Sequence, residues 1–240
     1  MLDDYFGGPS DEHGGRPADP SAEGYRRRSH RKPEKQAKTL TEEQLQRVIQ
    51  HTRKHCNAPL SAELKVLLSF RAGLRAAEIA ALPISALCDA DGRIAKVMAV
   101  PGNITKNGEP RRIPIHPDLR DAAQRFREQH PDVEYVAFSC RYEKRKRQNA
   151  NAVSIWFWQL YRDVGLEGCS SHSGRRTFLT QLARHASTVE GASLRDVQRI
   201  AGHARLDTTE RYIDPSEDVS ALINSLGRTP KDPKKPQPRD

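Results

Sequence analysis

Hydrophobic residues are confined to one long central stretch of the chain, and this distribution constrains the fold more than any other feature of the sequence. Between residues 1 and 38, Gly, Pro, Ser and Asp dominate and hardly a hydrophobic side chain occurs, while residues 227–240 are rich in Pro and Lys. Such segments cannot bury enough apolar surface to offset the chain entropy that is lost on folding. We therefore predict two disordered tails, 1–38 and 227–240, flanking one folded domain over residues 39–226.

The formal net charge of the chain is +9, and it is distributed unevenly. Residues 1–24 carry −5 and residues 25–38 carry +6, so the two blocks of the first tail nearly cancel. Residues 228–240 carry +3, which leaves +5 for the central stretch. A positive excess in the folded region predicts a polyanionic partner, and nucleic acid is the first candidate.

Two classes of protein are disfavoured by simple patterns. No window approaches the roughly 18 consecutive apolar residues of a membrane-spanning helix, and the acidic N-terminus has no hydrophobic segment of a signal peptide. The four cysteines form no C-x-x-C pair, and the nine histidines show no H-E-x-x-H or zinc-finger spacing. We expect a cytoplasmic protein with reduced thiols, no membrane contact, no metal and no cofactor.

The first part of the central stretch has helical periodicity. Thr41 followed by Gln44 indicates a capping box at the beginning of a first helix. Ser61 is predicted to cap a second helix that ends at Gly73. A short third helix follows and ends at Pro83.

The pattern then changes to one typical of strands. Residues 94–100 and 111–115 flank the turn signal Asn107-Gly108 and predict a small antiparallel hairpin, and residues 135–138 would form one more short strand. Further helices are predicted from Pro117 to about Glu128, over 152–164 with Trp156 and Trp158 as core residues, and in four short patterns up to Leu226. The predicted fold class is α+β, mostly α-helical, with one small antiparallel sheet.

Three short segments in the central stretch carry polar residues of catalytic type. They are Gly73-Leu74-Arg75, His172-Ser173-Gly174-Arg175, and Gly202-His203 followed nine positions later by Tyr212. With Lys106 on the hairpin turn, and in this order, they resemble the tyrosine recombinase (phage integrase) family over about residues 39–226. The resemblance implies the fold of the family's catalytic domain and a catalytic set of Arg75, Lys106, His172, Arg175, His203 and Tyr212.

These residue types also suit phosphodiester cleavage on chemical grounds. A guanidinium stays charged and donates paired hydrogen bonds, so Arg75 and Arg175 are expected to bind the non-bridging phosphate oxygens. The reference pKa of a tyrosine hydroxyl is about 10. Tyr212 therefore needs nearby cations and a base to attack at neutral pH. His172 lies three residues from Arg175 on a predicted helix and is the candidate for that base, or for orienting the phosphate.

Lys106 is expected to protonate the leaving 5′-oxygen as a general acid, with Lys96 as a weaker competitor, and His203 is expected to donate to the phosphate. Attack by Tyr212 would form a 3′-phosphotyrosyl link and release a 5′-hydroxyl. Because the link conserves the energy of the phosphodiester, the expected strand exchange between DNA duplexes uses neither ATP nor metal.

Each motif alone also has an ordinary interpretation. Arg75 can pair with Glu78 at i+3, an H-x-x-R pair is usually solvated, and Lys106 sits in a sequence typical of any exposed turn. The chain departs from the common H-x-L-R-H pattern of the family at Gly174 and Arg176. Two alternatives stay open, namely a non-catalytic DNA-binding regulator with the recombinase fold and a type IB topoisomerase-like enzyme.

Further expectations concern DNA and assembly. A basic run offers five candidate DNA-binding residues, Arg141, Lys144, Arg145, Lys146 and Arg147. Residues 219–226 form an amphipathic pattern, and the resemblance implies that such a helix is passed to a neighbouring protomer in a homotetramer on double-stranded DNA. The family usually carries a DNA-core-binding domain before the catalytic domain, where this chain has only 1–38, so a separate core-binding protein or accessory factor is expected. A DNA substrate implies association with the nucleoid.

Overall fold

A computed structural model describes residues 37–139, 146–186, 188–189, 191–202 and 209. The tail 227–240 and nearly all of 1–38 lie outside these residues, so their predicted disorder stays a prediction. The helices are α1 (Glu42–His55), α2 (Pro59–Ala72), α3 (Ala76–Ala81), α4 (Pro117–Gln129), α5 (Ala150–Asp163), α6 (Ser173–Ala186) and α7 (Leu194–Ala201). The strands are β1 (Val97–Val100) and β2 (Arg111–Pro114).

The capping box predicted for the first helix is confirmed. The Gln44 N–H donates to Thr41 Oγ1 at 3.2 Å, and the Thr41 N–H donates to Gln44 Oε1 at 2.9 Å. The prediction that Ser61 caps the second helix is wrong, because α2 begins two residues earlier at Pro59, whose fixed φ suits the first helical position. The Ser61 hydroxyl is buried and donates instead to the carbonyl oxygen of Val136 at 2.7 Å.

Helix α2 lies at the centre of the domain and positions the elements around it. Nearly all of its residues from Ser61 to Ala72 are buried, and it packs against α1, α4 and α6. Surface helices show one apolar face, whereas a helix surrounded by others is buried on all sides. The end of α2 at Gly73 is therefore a fixed point for the residues that follow it.

The predicted hairpin is confirmed, although its connection differs from a tight Asn-Gly turn. Strands β1 and β2 pair antiparallel, with Val100 opposite Arg111. The connection between them contains a 3₁₀ turn, Gly102–Ile104, before it reaches Gly108 at φ 74°. Residues 135–138 do not form the predicted strand. Tyr135 forms an isolated bridge with Pro83 and Phe138 forms one with Arg147, so the two ends pair with different segments.

Helix α5 corrects one interpretation of the aromatic residues. Phe157 and Leu160 are buried, but Trp158 is 48% exposed and its assignment to the core is wrong. The Arg162 guanidinium lies over the Trp158 ring at 4.6 Å from its centroid, which is a favourable cation–π arrangement at a surface. Trp158 is displaced by roughly 100° around the helix from the buried Phe157, which places it on the exposed side of α5.

The fold class is confirmed for the described residues, which form seven α-helices and one two-stranded antiparallel sheet. One main hydrophobic core runs through α1 to α5 and the hairpin, and a smaller one lies between α6 and α7. Within this part of the chain, no helix is both long and apolar enough to cross a bilayer.

Candidate functional site

An open cleft of about 1340 Å³ lies between the β-hairpin and α7. Six cationic side chains and two carboxylates contribute to its lining. These are Arg75, Lys106, Arg111, Arg112, Arg195 and Arg199, with Glu109 and Asp196. A concave surface lined by an excess of cations focuses its positive potential and attracts a polyanion.

Arg75 enters this cleft from the beginning of α3. Gly73 ends α2 in the left-handed conformation at φ 64°, and Arg75 then occupies the N-cap position of α3. A Cβ at Gly73 would lie 2.5 Å from Phe178 Cδ1, so a glycine is required here both by conformation and by space. The Arg75 side chain is 25% exposed, which leaves it accessible from the cleft.

Glu78 holds Arg75 in place. The Arg75 backbone N–H donates to Glu78 Oε2 at 2.8 Å, and Arg75 Nη1 donates to Glu78 Oε1 at 3.0 Å. The ordinary i, i+3 ion pair therefore exists, and it coexists with access to the cleft. The Glu78 side chain is only 1% exposed.

A second arginine binds the same carboxylate. Arg111 Nη1 and Nη2 donate to the two oxygens of Glu78 at 2.9 and 2.8 Å. Burial by itself raises the pKa of Glu78, but the hydrogen bonds and charge of Arg111, followed by the backbone N–H and charge of Arg75, lower that pKa below its usual value. The carboxylate is therefore ionised at neutral pH.

Arg175 is buried and is not one of the residues that line the cleft. It is 5% exposed, and it donates from Nη1 to the carbonyl oxygen of Gly73 at 2.6 Å and from Nη2 to that of Ala201 at 2.9 Å. These bonds join the end of α2 to the end of α7. The ordinary interpretation of H-x-x-R as two solvated side chains does not hold for Arg175.

The departure from the family pattern at Gly174 has a steric reason. A Cβ at Gly174 would collide with Ser69 Oγ and would lie 2.8 Å from Phe70 Cδ2. Glycine therefore allows α6 to approach α2 closely enough for Arg175 to reach Gly73. Arg176, the second departure, donates from Nη1 to the carbonyl oxygen of Ala37 at 2.8 Å.

His172 immediately precedes α6. Its carbonyl oxygen accepts from the Arg176 N–H at 2.9 Å, and its side chain is exposed. His172 and Arg175 are thus one turn apart, as the helical interpretation expects, but only Arg175 is buried.

Lys106 is exposed on the hairpin connection and contributes to the cleft lining. Lys96 precedes β1, and its carbonyl oxygen accepts from the Ile115 N–H at 2.9 Å. Among the described residues Lys96 is not part of the cleft lining. This placement favours Lys106 over its competitor.

Several candidate residues fall outside the described residues. They are His203, Tyr212, Arg141, Lys144 and Arg145. Gly202, directly before His203, ends α7 at φ 63° and lines the cleft.

The basic run is described only at its end. Lys146 and Arg147 are both exposed, and Arg147 forms an isolated bridge with Phe138. The Ser139 N–H donates to the Lys146 carbonyl oxygen at 2.8 Å, which holds Lys146 close to the residues that precede the run.

Sequence reasoning missed four cleft arginines, namely Arg111, Arg112, Arg195 and Arg199. Alternation in β2 carried the signal for the first two, since Arg111 shares the buried face with Ile113 while Arg112 shares the exposed face with Pro114. Arg195 and Arg199 are four residues apart on α7, a spacing that places two side chains on one helix face.

Within the described ranges, no three His, Cys, Asp or Glu side chains are grouped as metal ligands would be. The polar groups of the cleft are mainly guanidinium and ammonium donors, which suit phosphate oxygens rather than a cation.

Comparison with known proteins adds the family context. The profile of the Phage integrase family matches residues 38–218. The chain is 27% identical over 194 residues to Tyrosine recombinase XerA of Pyrococcus furiosus, covering 79% of this chain and 62% of that protein. It is 28% identical over 199 residues to Tyrosine recombinase XerC of Erythrobacter litoralis, covering 78% and 58%. The chain thus spans about six-tenths of the length of these relatives.

Solved structures show the same fold. A XerA recombinase crystal structure has a TM-score of 0.56 at 22% identity, with 78% of this chain and 63% of that chain covered. The Tn1549 transposon integrase in complex with transposon right end DNA has a TM-score of 0.63 at 17% identity, with 79% and 65% covered. The predicted fold of a tyrosine recombinase catalytic domain is therefore confirmed.

Proposed function

The chain belongs to the phage integrase family, and on that premise we propose that it cleaves and rejoins strands of double-stranded DNA at specific sites through a 3′-phosphotyrosyl intermediate. One observation carries the proposal beyond family membership. Arg75 and Lys106 come from separate elements, yet both line one cationic cleft whose α7 wall ends directly before His203. Such convergence is what a phosphate-transfer site requires.

The proposed roles follow from the chemistry of each group. Arg75, held by Glu78 and accessible from the cleft, binds a non-bridging oxygen of the scissile phosphate. Arg175 is proposed to act on the same phosphate, because it is bonded to the carbonyl oxygens of Gly73 and Ala201, two residues before Arg75 and one before Gly202, and both Arg75 and Gly202 line the cleft. Their positive charges stabilise the extra negative charge of the transition state.

Tyr212 is proposed as the nucleophile and His172 as the group that accepts its proton or orients the phosphate. The tyrosyl oxygen forms a bond to phosphorus, the bond from phosphorus to the 5′-oxygen breaks, and Lys106 gives that oxygen a proton. His203 donates a hydrogen bond to the phosphate. A 5′-hydroxyl of a second strand reverses the reaction, so the energy of the phosphodiester is conserved without ATP.

Cationic side chains supply the charge neutralisation that metal ions provide in other phosphoryl-transfer enzymes, and we propose that this reaction needs no metal. The accessible cations of the cleft also give the duplex backbone a binding surface, and these are Arg75, Lys106, Arg112, Arg195 and Arg199. Lys146 and Arg147 extend this surface in the proposal, because both are exposed.

We also propose that the active unit is a tetramer on DNA, joined through the amphipathic pattern of residues 219–226, and that a core-binding protein or accessory factor assists it at the nucleoid. Support comes from that pattern, which lies outside the described residues, and from a similar fold solved as a lambda integrase dimer bound to a core site. That structure covers 74% of this chain at 19% identity, with a TM-score of 0.55.

Covalent trapping in cells tests the proposed function. The full chain is expressed, protein–DNA adducts are isolated under denaturing conditions, and the attached DNA is sequenced. We expect one defined sequence for the wild type and no adduct for Tyr212→Phe. An adduct that persists in Tyr212→Phe would contradict the proposal. Absence of any adduct would favour the DNA-binding regulator, and adducts without sequence preference would favour a topoisomerase-like enzyme.

A further inference from the structure

Arg111 is a buried cation that none of the proposed chemical steps uses. Its side chain is 6% exposed, and both terminal nitrogens donate to Glu78. The partners come from elements that are remote in sequence, since Arg111 begins β2 and Glu78 lies in α3. The bidentate contact therefore fastens the β-hairpin to α3.

The same carboxylate also holds Arg75 through its backbone N–H and its guanidinium. Glu78 is thus shared by two arginines, one accessible from the cleft and one buried at the base of the hairpin. Because both arginines bind the same carboxylate, Glu78 fixes the distance between Arg75 and the hairpin that carries Arg111. If the contact of Arg111 with Glu78 is lost, the hairpin can shift relative to Arg75.

The hairpin connection that carries Lys106 is braced internally. The Thr105 hydroxyl lies 2.9 Å from the carbonyl oxygen of Gly102 and 3.0 Å from that of Glu109. Gly102 approaches the Gly108 carbonyl so closely that a Cβ would collide with it. These contacts fix the shape of the connection itself. The position of Lys106 relative to Arg75 therefore depends on where the hairpin is attached to the rest of the domain.

Arg111 also packs against the end of α7. A Cβ at Gly202 would lie 3.3 Å from Arg111 Cδ and 3.4 Å from Arg111 Nη1. The side chain therefore fills the junction of three elements that form the cleft, namely the hairpin, α3 and α7.

We propose that Arg111 is a positioning residue that fastens the hairpin to Glu78 and so holds Lys106 at a fixed place relative to the phosphate bound by Arg75. This inference rests on the proposed function. Stability alone is a weak explanation for a buried ion pair, because desolvation of the two charges offsets much of their attraction. A fixed geometry between Lys106 and Arg75 explains why a bidentate arginine occupies this place.

Arg111→Lys separates geometry from charge. Lysine keeps the positive charge, but its single ammonium cannot reproduce the planar, paired contact with both oxygens of Glu78. The hairpin then loses its fixed attachment, and Lys106 is displaced from the leaving oxygen. Displacements of about 1 Å in a catalytic group can reduce a rate by about 10²-fold.

The chain contains a matched control in the cluster around Glu63. Glu63 is 2% exposed and is held by Arg53 and Arg125, with Nη2 to Oε1 distances of 2.6 and 2.8 Å. This cluster joins α1, α2 and α4, and none of its three members lines the cleft between the hairpin and α7. Arg125→Lys therefore weakens a two-arginine cluster on a buried carboxylate without touching the proposed site, although Arg125 itself is 36% exposed.

The experiment measures single-turnover adduct formation by the full chain on a nicked duplex containing the trapped DNA site. Two substrates are compared, one with the natural 5′-oxygen at the scissile phosphate and one with sulfur in its place. Sulfur leaves as a thiolate without needing a proton, because a thiol has a pKa of only about 8.5. A defect in delivering the proton is thus repaired by the sulfur substrate.

We expect Arg111→Lys and Lys106→Ala to slow adduct formation about tenfold or more on the oxygen substrate and less than about threefold on the sulfur substrate, since a general acid contributes about 10²–10⁴-fold. Arg75→Lys should slow adduct formation on both substrates. Arg125→Lys should slow it on neither, once rates are corrected for the folded fraction measured by urea unfolding.

Equal slowing on both substrates by Arg111→Lys, or no slowing, would overturn the inference. Failure of the wild type to form any adduct would instead overturn the proposed function.

Discussion

The carboxylate of Glu78 receives guanidinium hydrogen bonds from Arg75 and Arg111, and both arginines line the cleft. The contact with Arg75 is local, whereas Arg111 is 33 residues away in sequence. Replacing the carboxylate leaves two guanidinium groups without their counter-charge, one of them almost fully buried. At the scale of single residues, this is the most sensitive charge in the site.

Glu78→Gln is expected to lower the free energy of unfolding by about 3 kcal/mol at pH 7, because removal of one partner leaves a buried charge uncompensated. The pKa of Glu78 is lowered in the folded protein, so its contribution is complete above the ordinary value of 4.5 and is lost as pH falls through the folded value. The difference between wild type and variant should therefore shrink below about pH 4.5.

Urea unfolding at a series of pH values between 7 and 3 measures this difference. Glu63 has a lowered pKa for the same reason and is present in both proteins, so its acid destabilisation cancels in the comparison. A difference that stays constant with pH would contradict the assignment of an ionised Glu78.

At the scale of elements, the junction between α2 and α3 directs Arg75 towards the cleft. Gly73 satisfies two requirements there, namely the left-handed φ of 64° and close contact with Phe178 from α6. Its carbonyl oxygen also accepts from Arg175. The junction therefore joins α2, α3 and α6 at one residue.

Gly73→Ala should destabilise the protein by more than the roughly 1–2 kcal/mol expected for alanine at positive φ, because its Cβ also displaces Phe178. Gly92→Ala is the matched control, since Gly92 has φ 76° and no atom within 4 Å of a Cβ. Urea unfolding of both variants isolates the packing contribution. Equal destabilisation of the two would show that Phe178 does not constrain Gly73.

Some features of the helices and strands can be predicted from residues close together in sequence, whereas others are determined by contacts between residues far apart in sequence. Thr41 and Gln44 are three residues apart, so the capping box could be predicted from sequence. Ser61 has the same kind of hydroxyl, but its partner is the carbonyl oxygen of Val136, 75 residues away. Alternation in β2 places Arg111 on a buried face, yet it cannot specify Glu78 as the partner, because that contact depends on how the hairpin packs on α3.

The candidate site shows the same division. The family pattern predicts Arg75, Lys106 and Arg175 as one set, but it does not predict that Arg175 is buried between two backbone carbonyl groups. Nor does it include Arg195 and Arg199, whose place in the cleft depends on the packing of α7 opposite the hairpin.

At the scale of the whole molecule, the net charge of +9 matters less than its placement. The cleft collects cations from the beginning of α3, the hairpin and α7, so in the proposed complex their charge would act together on the bound DNA. Counterions released from DNA by such contacts make the affinity strongly dependent on salt.

Replacing both Arg195 and Arg199 with Gln should weaken DNA binding and reduce the slope of log affinity against log salt by up to about two, since each phosphate contact contributes about one. Lys54 and Arg93 are exposed and lie outside the cleft lining, so replacing both with Gln provides a control with the same change in net charge. DNA affinity is titrated for both double variants at salt concentrations from roughly 50 to 200 mM, the range over which such slopes are measured. Equal slopes in the two double variants would contradict a role for the cleft in DNA binding.

In the proposed reaction the protein becomes covalently linked to DNA through one side chain, Tyr212. Trypsin cleaves after Arg211 and Arg228, so an adduct digested with trypsin and nuclease should yield the peptide 212–228 with a nucleotide attached. Mass spectrometry is predicted to locate the phosphodiester on Tyr212 with its 3′-linked nucleotide. A nucleotide on any other residue, or a free 212–228 peptide from the purified adduct, would contradict the account.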